Sequence, residues 1–186
     1  MHTFIAVPLP EEIREYAAAL LESYMDNLGQ KLLDNLKPVA KSNLHITLNF
    51  LGEKSPAEIN GLKLKLGKLN FPEIQCTIGA MGAFPHVNMP RVLWLGVQEM
   101  EQFIRLFDEI TVTCSLKKEG NFHPHITLAR FKFPSREIGE KTGEFIEKNK
   151  TEARKFVACR VVLYESVSSP KGPEYRELME VKLGKK

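Results

Sequence analysis

Apolar residues along the chain change period several times, and each change marks an element. Thr3 to Leu9 is a short apolar run that reads as a strand. Pro10-Glu11-Glu12 then opens a helix, because proline suits a first turn and acidic groups complement its dipole. The apolar positions Ile13, Ala17, Leu20, Tyr24 and Leu28 step by three or four, as an amphipathic helix requires. That helix is expected to end near Gly29, or after a second short piece at Pro38. Leu44 to Leu51 alternates and then becomes fully apolar, the pattern of a strand with one face in the core. Ser55-Pro56-Ala57-Glu58 has the form of a cap and first turn for a helix to about Leu69, followed by a strand from Glu73 to about Ala80.

The same order recurs. After the Gly- and Pro-rich connection Gly82 to Pro90, Arg91 to Val97 reads as a strand, Glu99 to about Cys114 as a helix and His125 to Phe131 as a strand. Ser135 to about Lys148 follows as a helix and Lys155 to Ser166 as a strand. His125 follows His45 by 80 residues, and the flanking elements keep step. Ser168 to Pro173 is a turn that lets residues 174–184 pair back as a hairpin strand. The expected architecture is α+β: one bilobal unit over residues 1–186, with approximate repeats at 3–80 and 91–166. Each pseudo-symmetric lobe carries an antiparallel or mixed sheet and outer helices, around a central cleft.

An apolar content of 43% supplies a real core, and 26 Lys and Arg against 23 Asp and Glu leave a charge of +3. Such a charge permits contact with a polyanion without requiring one. Cys76, Cys114 and Cys159 are odd in number, widely spaced and free of any Cys-x-x-Cys pair, which disfavours both a disulfide framework and a thiolate zinc site. The N-terminus has no basic segment before a long apolar run, and no stretch approaches the ~20 apolar residues of a membrane span. A soluble cytoplasmic protein without membrane contact is expected.

The chemistry-bearing feature is a tetrapeptide that occurs twice, His45-Ile46-Thr47-Leu48 and His125-Ile126-Thr127-Leu128. Side chains in a strand alternate faces, so each motif offers an imidazole and a hydroxyl on one side and apolar anchors on the other. A lone His-x-Thr in a strand is weak, since Thr favours strands. Its repetition at matching places in a duplicated architecture is what points to function. Two opposed imidazoles suit in-line phosphoryl transfer, one removing a proton from the attacking oxygen and one protonating the leaving oxygen, while hydroxyls donate to the phosphate. Symmetry leaves open which histidine does which. His123-Pro124-His125 has the spacing of a zinc-ligand pair, but Glu119 is the only carboxylate nearby and there is no cysteine, so neither metal nor cofactor is expected. His123 is read as a loop residue, and His2 and His86 as structural or solvent-facing. Arg130, five residues after His125, belongs to the opposite face of a regular strand unless a bulge returns it. Lys41, Lys54, Lys132 and Arg136 flank the motif strands as a candidate basic rim.

Asn43-Leu44-His45-Ile46-Thr47-Leu48-Asn49-Phe50-Leu51-Gly52-Glu53 and Pro124-His125-Ile126-Thr127-Leu128-Ala129-Arg130 strongly resemble the two signatures of the 2H phosphoesterase superfamily. Within it the chain looks like the RNA 2',3'-cyclic phosphodiesterases, historically called 2'-5' RNA ligases. The resemblance also takes in Thr3 to Val7, Gly82 to Pro85, Pro90 to Trp94, Leu163 to Ser166 and Gly172 to Tyr175. It implies a bilobal 2H phosphoesterase fold and metal-independent hydrolysis of a terminal RNA 2',3'-cyclic phosphate to a 2'-phosphate, tRNA halves being one candidate substrate. A monomer is expected. Reversal with a ribose 5'-hydroxyl as nucleophile would give a 2'-5' linkage. Carried to the matching positions, His45 is the proton donor and His125 the proton acceptor, with Thr47, Thr127 and Arg130 holding the phosphate. Two other functions compete: an RNA-end binding protein with vestigial catalysis, and a phosphodiesterase of 2'-5' oligonucleotides or small cyclic nucleotides.

Overall fold

The computed structural model describes residues 1–118, 120, 122–170 and 172–184. Nine strands and five α-helices follow one another as β1 (His2–Pro8), α1 (Glu11–Leu28), α2 (Gln30–Leu33), β2 (Leu36–Pro38), β3 (His45–Glu53), α3 (Pro56–Leu66), β4 (Ile74–Phe84) and β5 (Val92–Val97). The remainder are α4 (Met100–Thr113), β6 (His125–Phe131), α5 (Arg136–Lys148), β7 (Lys155–Ala158), β8 (Arg160–Ser169) and β9 (Gly172–Lys182) among the described residues. A single turn of 3-10 helix, Lys41–Asn43, leads into β3.

Local chemistry sets several boundaries. The α1 helix stops at Gly29, whose φ of 82° is open to glycine at little cost. Its buried stripe is Ile13, Ala17, Leu21, Tyr24 and Leu28, so Leu21 rather than Leu20 faces inward. Ser55 caps α3 through a reciprocal box with Glu58: the Ser55 hydroxyl accepts from the Glu58 N–H, and the Glu58 carboxylate accepts from the Ser55 N–H at 2.8 Å. The β4 strand runs to Phe84, four residues past its expected end. It continues because Gly82 lets the Trp94 ring of β5 lie flat across it; a Cβ on Gly82 would stand 2.3 Å from Trp94 Cζ2. Leu36–Pro38, expected to be helix or connection, forms the short β2 strand along β6.

All strand pairs are antiparallel and lie in the order β7-β4-β5-β6-β3-β1-β8-β9, with β2 on the far end of β6. One bridge, Ile46 to Ile126, joins β3 to β6, and from it the two halves of the sheet diverge to leave a groove. Helices α3 and α4 pack together with α4 against β3, while α1 packs on β6 and α5. A single core cluster runs through both halves, with Ile5, Ile46, Leu95 and Ile126 all fully buried in it. The duplication is therefore not laid out as one contiguous repeat per half. The last strand and the first helix of each repeat cross over: β4 pairs with β5, β8 with β1, α1 sits on β6 and α4 on β3. Cys76 and Cys114 are buried and Cys159 exposed, all as free thiols. Among the described residues no helix is long and apolar enough to cross a membrane.

Candidate active site

The Ile46–Ile126 bridge acts as the pivot of the site. Both isoleucines are fully buried on the helix side, so His45, Thr47, His125 and Thr127 all project into the groove. Continuing that antiparallel register by one residue sets His45 beside Thr127 and Thr47 beside His125. Each imidazole thus has a hydroxyl on its own strand and another across the groove.

Each histidine spends one nitrogen on the chain just before it. His45 Nδ1–H donates to the carbonyl of Asn43 at 2.6 Å, and His125 Nδ1–H to the carbonyl of His123 at 2.7 Å. A carbonyl can only accept, so the proton of each neutral ring lies on Nδ1 and the basic lone pair on Nε2. His45 Nε2 accepts from the Thr47 hydroxyl at 2.8 Å. Both rings are set among aromatics. Phe4 stacks on His45 at 5.0 Å and Tyr175 meets it edge-on at 5.4 Å, while Phe84 meets His125 edge-on at 5.1 Å.

Burial therefore dominates their titration. It pushes His45 down to about 4, helped by the charges of His125 and Arg130 and opposed by the bond to Asn43. His125 is also lowered, by burial first and then by the charges of His123 and Arg130, against the bond to the His123 carbonyl. Both imidazoles are neutral near pH 7 while the groove is empty. Holding His45 charged there costs roughly 3 kcal/mol more than in water. A phosphate anion seated in the groove would favour the charged form of an imidazole and so oppose this lowering.

Two cavities flank the motifs. One, of about 360 Å³, contains His45 with Phe4, Asn43, Ser166 and Tyr175; the other, of about 490 Å³, contains His125 with His123, Phe84, Phe122 and Lys117. Thr47, Phe50, Thr127 and Arg130 belong to both and form the wall between them. Arg130 is there because β6 carries a bulge. Trp94 pairs with Thr127 but Leu93 with Ala129, so Leu128 and Ala129 are buried in succession and Arg130 returns to the groove face. The same bulge occurs in β3, where Ala6 pairs with Thr47 and Ile5 with Asn49, and it brings Phe50 to the matching place, 76% exposed. Arg130 makes no ion pair among the described residues.

All five residues singled out in the motif strands, His45, Thr47, His125, Thr127 and Arg130, come together here. The expected basic rim does not. Lys41 is bound to Glu11, Lys54 to Glu58, Arg136 to Glu140, and Lys132 donates to the Asp34 carbonyl, so each is held by a neighbour and none lines either cavity. Lys117 lines the groove instead. His2, expected to be structural or solvent-facing, also lines the cavity beside His45, and His86 is exposed. His123 is more than a loop residue: its carbonyl orients His125, and its ring packs on Trp94 at 5.2 Å and Phe84 at 5.3 Å. Glu119 lies outside the described residues. The backbone part of this role had a signal in the sequence, since Asn43 and His123 both stand two residues before a motif histidine.

A curled antiparallel sheet with two opposed His-x-Thr strands at its groove defines the 2H phosphoesterase class. The chain matches the family described as LigT like Phosphoesterase twice, over residues 7–94 and 95–175, and it belongs to that family. It is 32% identical to the RNA 2',3'-cyclic phosphodiesterase of Methanocaldococcus jannaschii over 97% of this chain and 99% of that protein. It is 31% identical to that of Thermotoga maritima over 97% and 94%. Among solved structures it is similar to Escherichia coli LigT complexed with 3'-AMP, with a TM-score of 0.73 and 25% identity over 99% of this chain and 98% of the other.

Proposed function

We propose that the protein hydrolyses terminal 2',3'-cyclic phosphates of RNA to 2'-phosphates, with the two motif histidines as its acid and base. The observation that carries this is the paired, back-tethered geometry: both Nδ1–H groups are bound to the carbonyl two residues earlier, which leaves both Nε2 atoms for the groove. Relatives that this chain matches over nearly its whole length bear the name RNA 2',3'-cyclic phosphodiesterase, which supports the substrate class.

The cyclic phosphate sits at the wall between the cavities, its non-bridging oxygens taken by Thr47, Thr127 and Arg130. His125 Nε2, which makes no hydrogen bond among the described residues, removes a proton from water. Water attacks phosphorus in line with the 3'-oxygen, the P–O3' bond breaks, and His45 delivers a proton to that oxygen. The incoming anion favours a charged imidazole, and the family resemblance assigns that charged, proton-donating role to His45. A ribose 5'-hydroxyl in place of water would form a 2'-5' linkage by the same route.

The test is product analysis on an oligoribonucleotide ending in a 2',3'-cyclic phosphate, with EDTA present. A 2'-phosphate product is expected, with turnover reduced at least a hundredfold in His45→Ala and in His125→Ala while the fold is retained. A 3'-phosphate product would reverse the identity of the leaving oxygen, and loss of activity to EDTA would end the metal-free mechanism. Tight, salt-sensitive RNA binding without turnover would instead favour an RNA-end binding protein.

A further inference from the structure

The two motif strands are matched, but the walls of the groove are not. On the His45 side the sheet ends in β9, which has 11 residues and pairs along the whole of β8, with Tyr175 in register with Ser166. At the corresponding place in the other half stands β7, which has 4 residues and pairs only with Ile74 to Thr77 of β4. Tyr175 therefore has no counterpart beside His125.

Packing fixes its ring. Tyr175 leans on the small apolar cluster of Phe4, Ala6, Val162 and Tyr164, edge-on to Phe4 at 4.9 Å and to His45 at 5.4 Å. Its hydroxyl is not consumed by that packing. The Tyr24 hydroxyl is hydrogen-bonded to Thr142 and that of Tyr164 to Glu177, whereas the Tyr175 hydroxyl makes no hydrogen bond among the described residues. Tyr175 lines the cavity that also holds Thr127 and Arg130, and the Arg130 guanidinium is near enough to oppose the rise that burial imposes on its phenol. A fixed ring with an unused donor, facing an unpaired cation across a cavity, is an arrangement for an anion.

We infer that Tyr175 is a further substrate-binding residue, its hydroxyl donating to a non-bridging oxygen of the phosphate that Arg130 holds from the facing wall. This rests on the cyclic phosphodiesterase function proposed above. It also makes the two histidines inequivalent. The seat gains a donor on the His45 side only, which draws the anion toward the imidazole that needs its charge to become an acid.

Tyr175→Phe removes the hydroxyl and keeps the ring. A hydrogen bond to a charged group is worth enough that binding of 2'-AMP and of inorganic phosphate should each weaken roughly tenfold to hundredfold, and kcat/KM on the cyclic phosphate should fall by a similar factor. Adenosine, which lacks the phosphate, should bind the variant and the parent equally. If Tyr175→Phe matches the parent and only Tyr175→Leu is impaired, the ring is a wall and the inference is wrong. An equal loss for adenosine would move the contact to the nucleoside and likewise overturn it. If the parent turns over no cyclic phosphate, the proposed function fails, while the phosphate titrations still decide what the hydroxyl touches.

Discussion

His45 and His125 each give up one nitrogen to the backbone, and that choice makes their pH behaviour interpretable. With Nδ1 committed, only Nε2 titrates into the groove, and burial together with the Arg130 charge holds both rings below the ordinary value of 6.5. A nearby cation disfavours a second positive charge, so removing it must raise both. Arg130→Met should therefore shift the whole bell of kcat/KM against pH toward higher pH, while its height falls about tenfold or more from the lost phosphate contact. A profile lowered in height but unmoved in pH would show that Arg130 binds phosphate without tuning the histidines. The imidazole and hydroxyl pairs were legible in the sequence because strand alternation is a local rule. The face of Arg130 was not, because one residue of bulge reverses the parity of everything after it. Lys41 and Lys132 misled for a related reason, since their partners Glu11 and Asp34 lie far away in sequence.

Among the elements, the bulges in β3 and β6 do the most to shape the site. A regular strand from Thr127 would bury Leu128, expose Ala129 and bury Arg130 on the wrong side; the bulged strand leaves Leu128 and Ala129 both fully buried. That difference is measurable. Leu128→Asn and Ala129→Asn should each destabilise the protein by about 2–4 kcal/mol, because each places an unpaired amide in the core, and the midpoint of urea unfolding reads the loss. In an unbulged strand one of the two changes would be nearly neutral. Periodicity recovered most helices and strands, with β6 at the expected limits and the capped start of α3 at Ser55, but it read Lys155 to Ser166 as one strand where β7 and β8 stand in different halves of the sheet. It missed β2, three residues whose only sheet partner is β6, because nothing local distinguishes so short a strand from a connection.

For the whole molecule the decisive fact is exchange between the repeats. The sequence shows two copies within one bilobal unit, and repeats at 3–80 and 91–166 suggest that each lobe is built from its own copy. Pairing between distant strands leaves no local trace, so the crossing of β4, β8, α1 and α4 could not be seen in it. The consequence concerns stability as much as architecture. Residues 1–90 alone would keep the β1–β3 pair but leave β4 without β5 and β7, β2 without β6, and the apolar stripe of α1 without β6 and α5. Residues 91–186 alone would keep β5–β6 and the β8–β9 hairpin but leave β8 without β1 and α4 without β3. Isolated strand pairs are marginal in water, and neither piece encloses the core that runs through both halves. Each piece expressed alone should lack a cooperative thermal transition, whereas co-expression should restore a folded complex with the groove rebuilt, since His45 and His125 come from different pieces. A sharp melting transition in either piece by circular dichroism would mean that a repeat can fold by itself and that the crossing of elements does not bind the halves together.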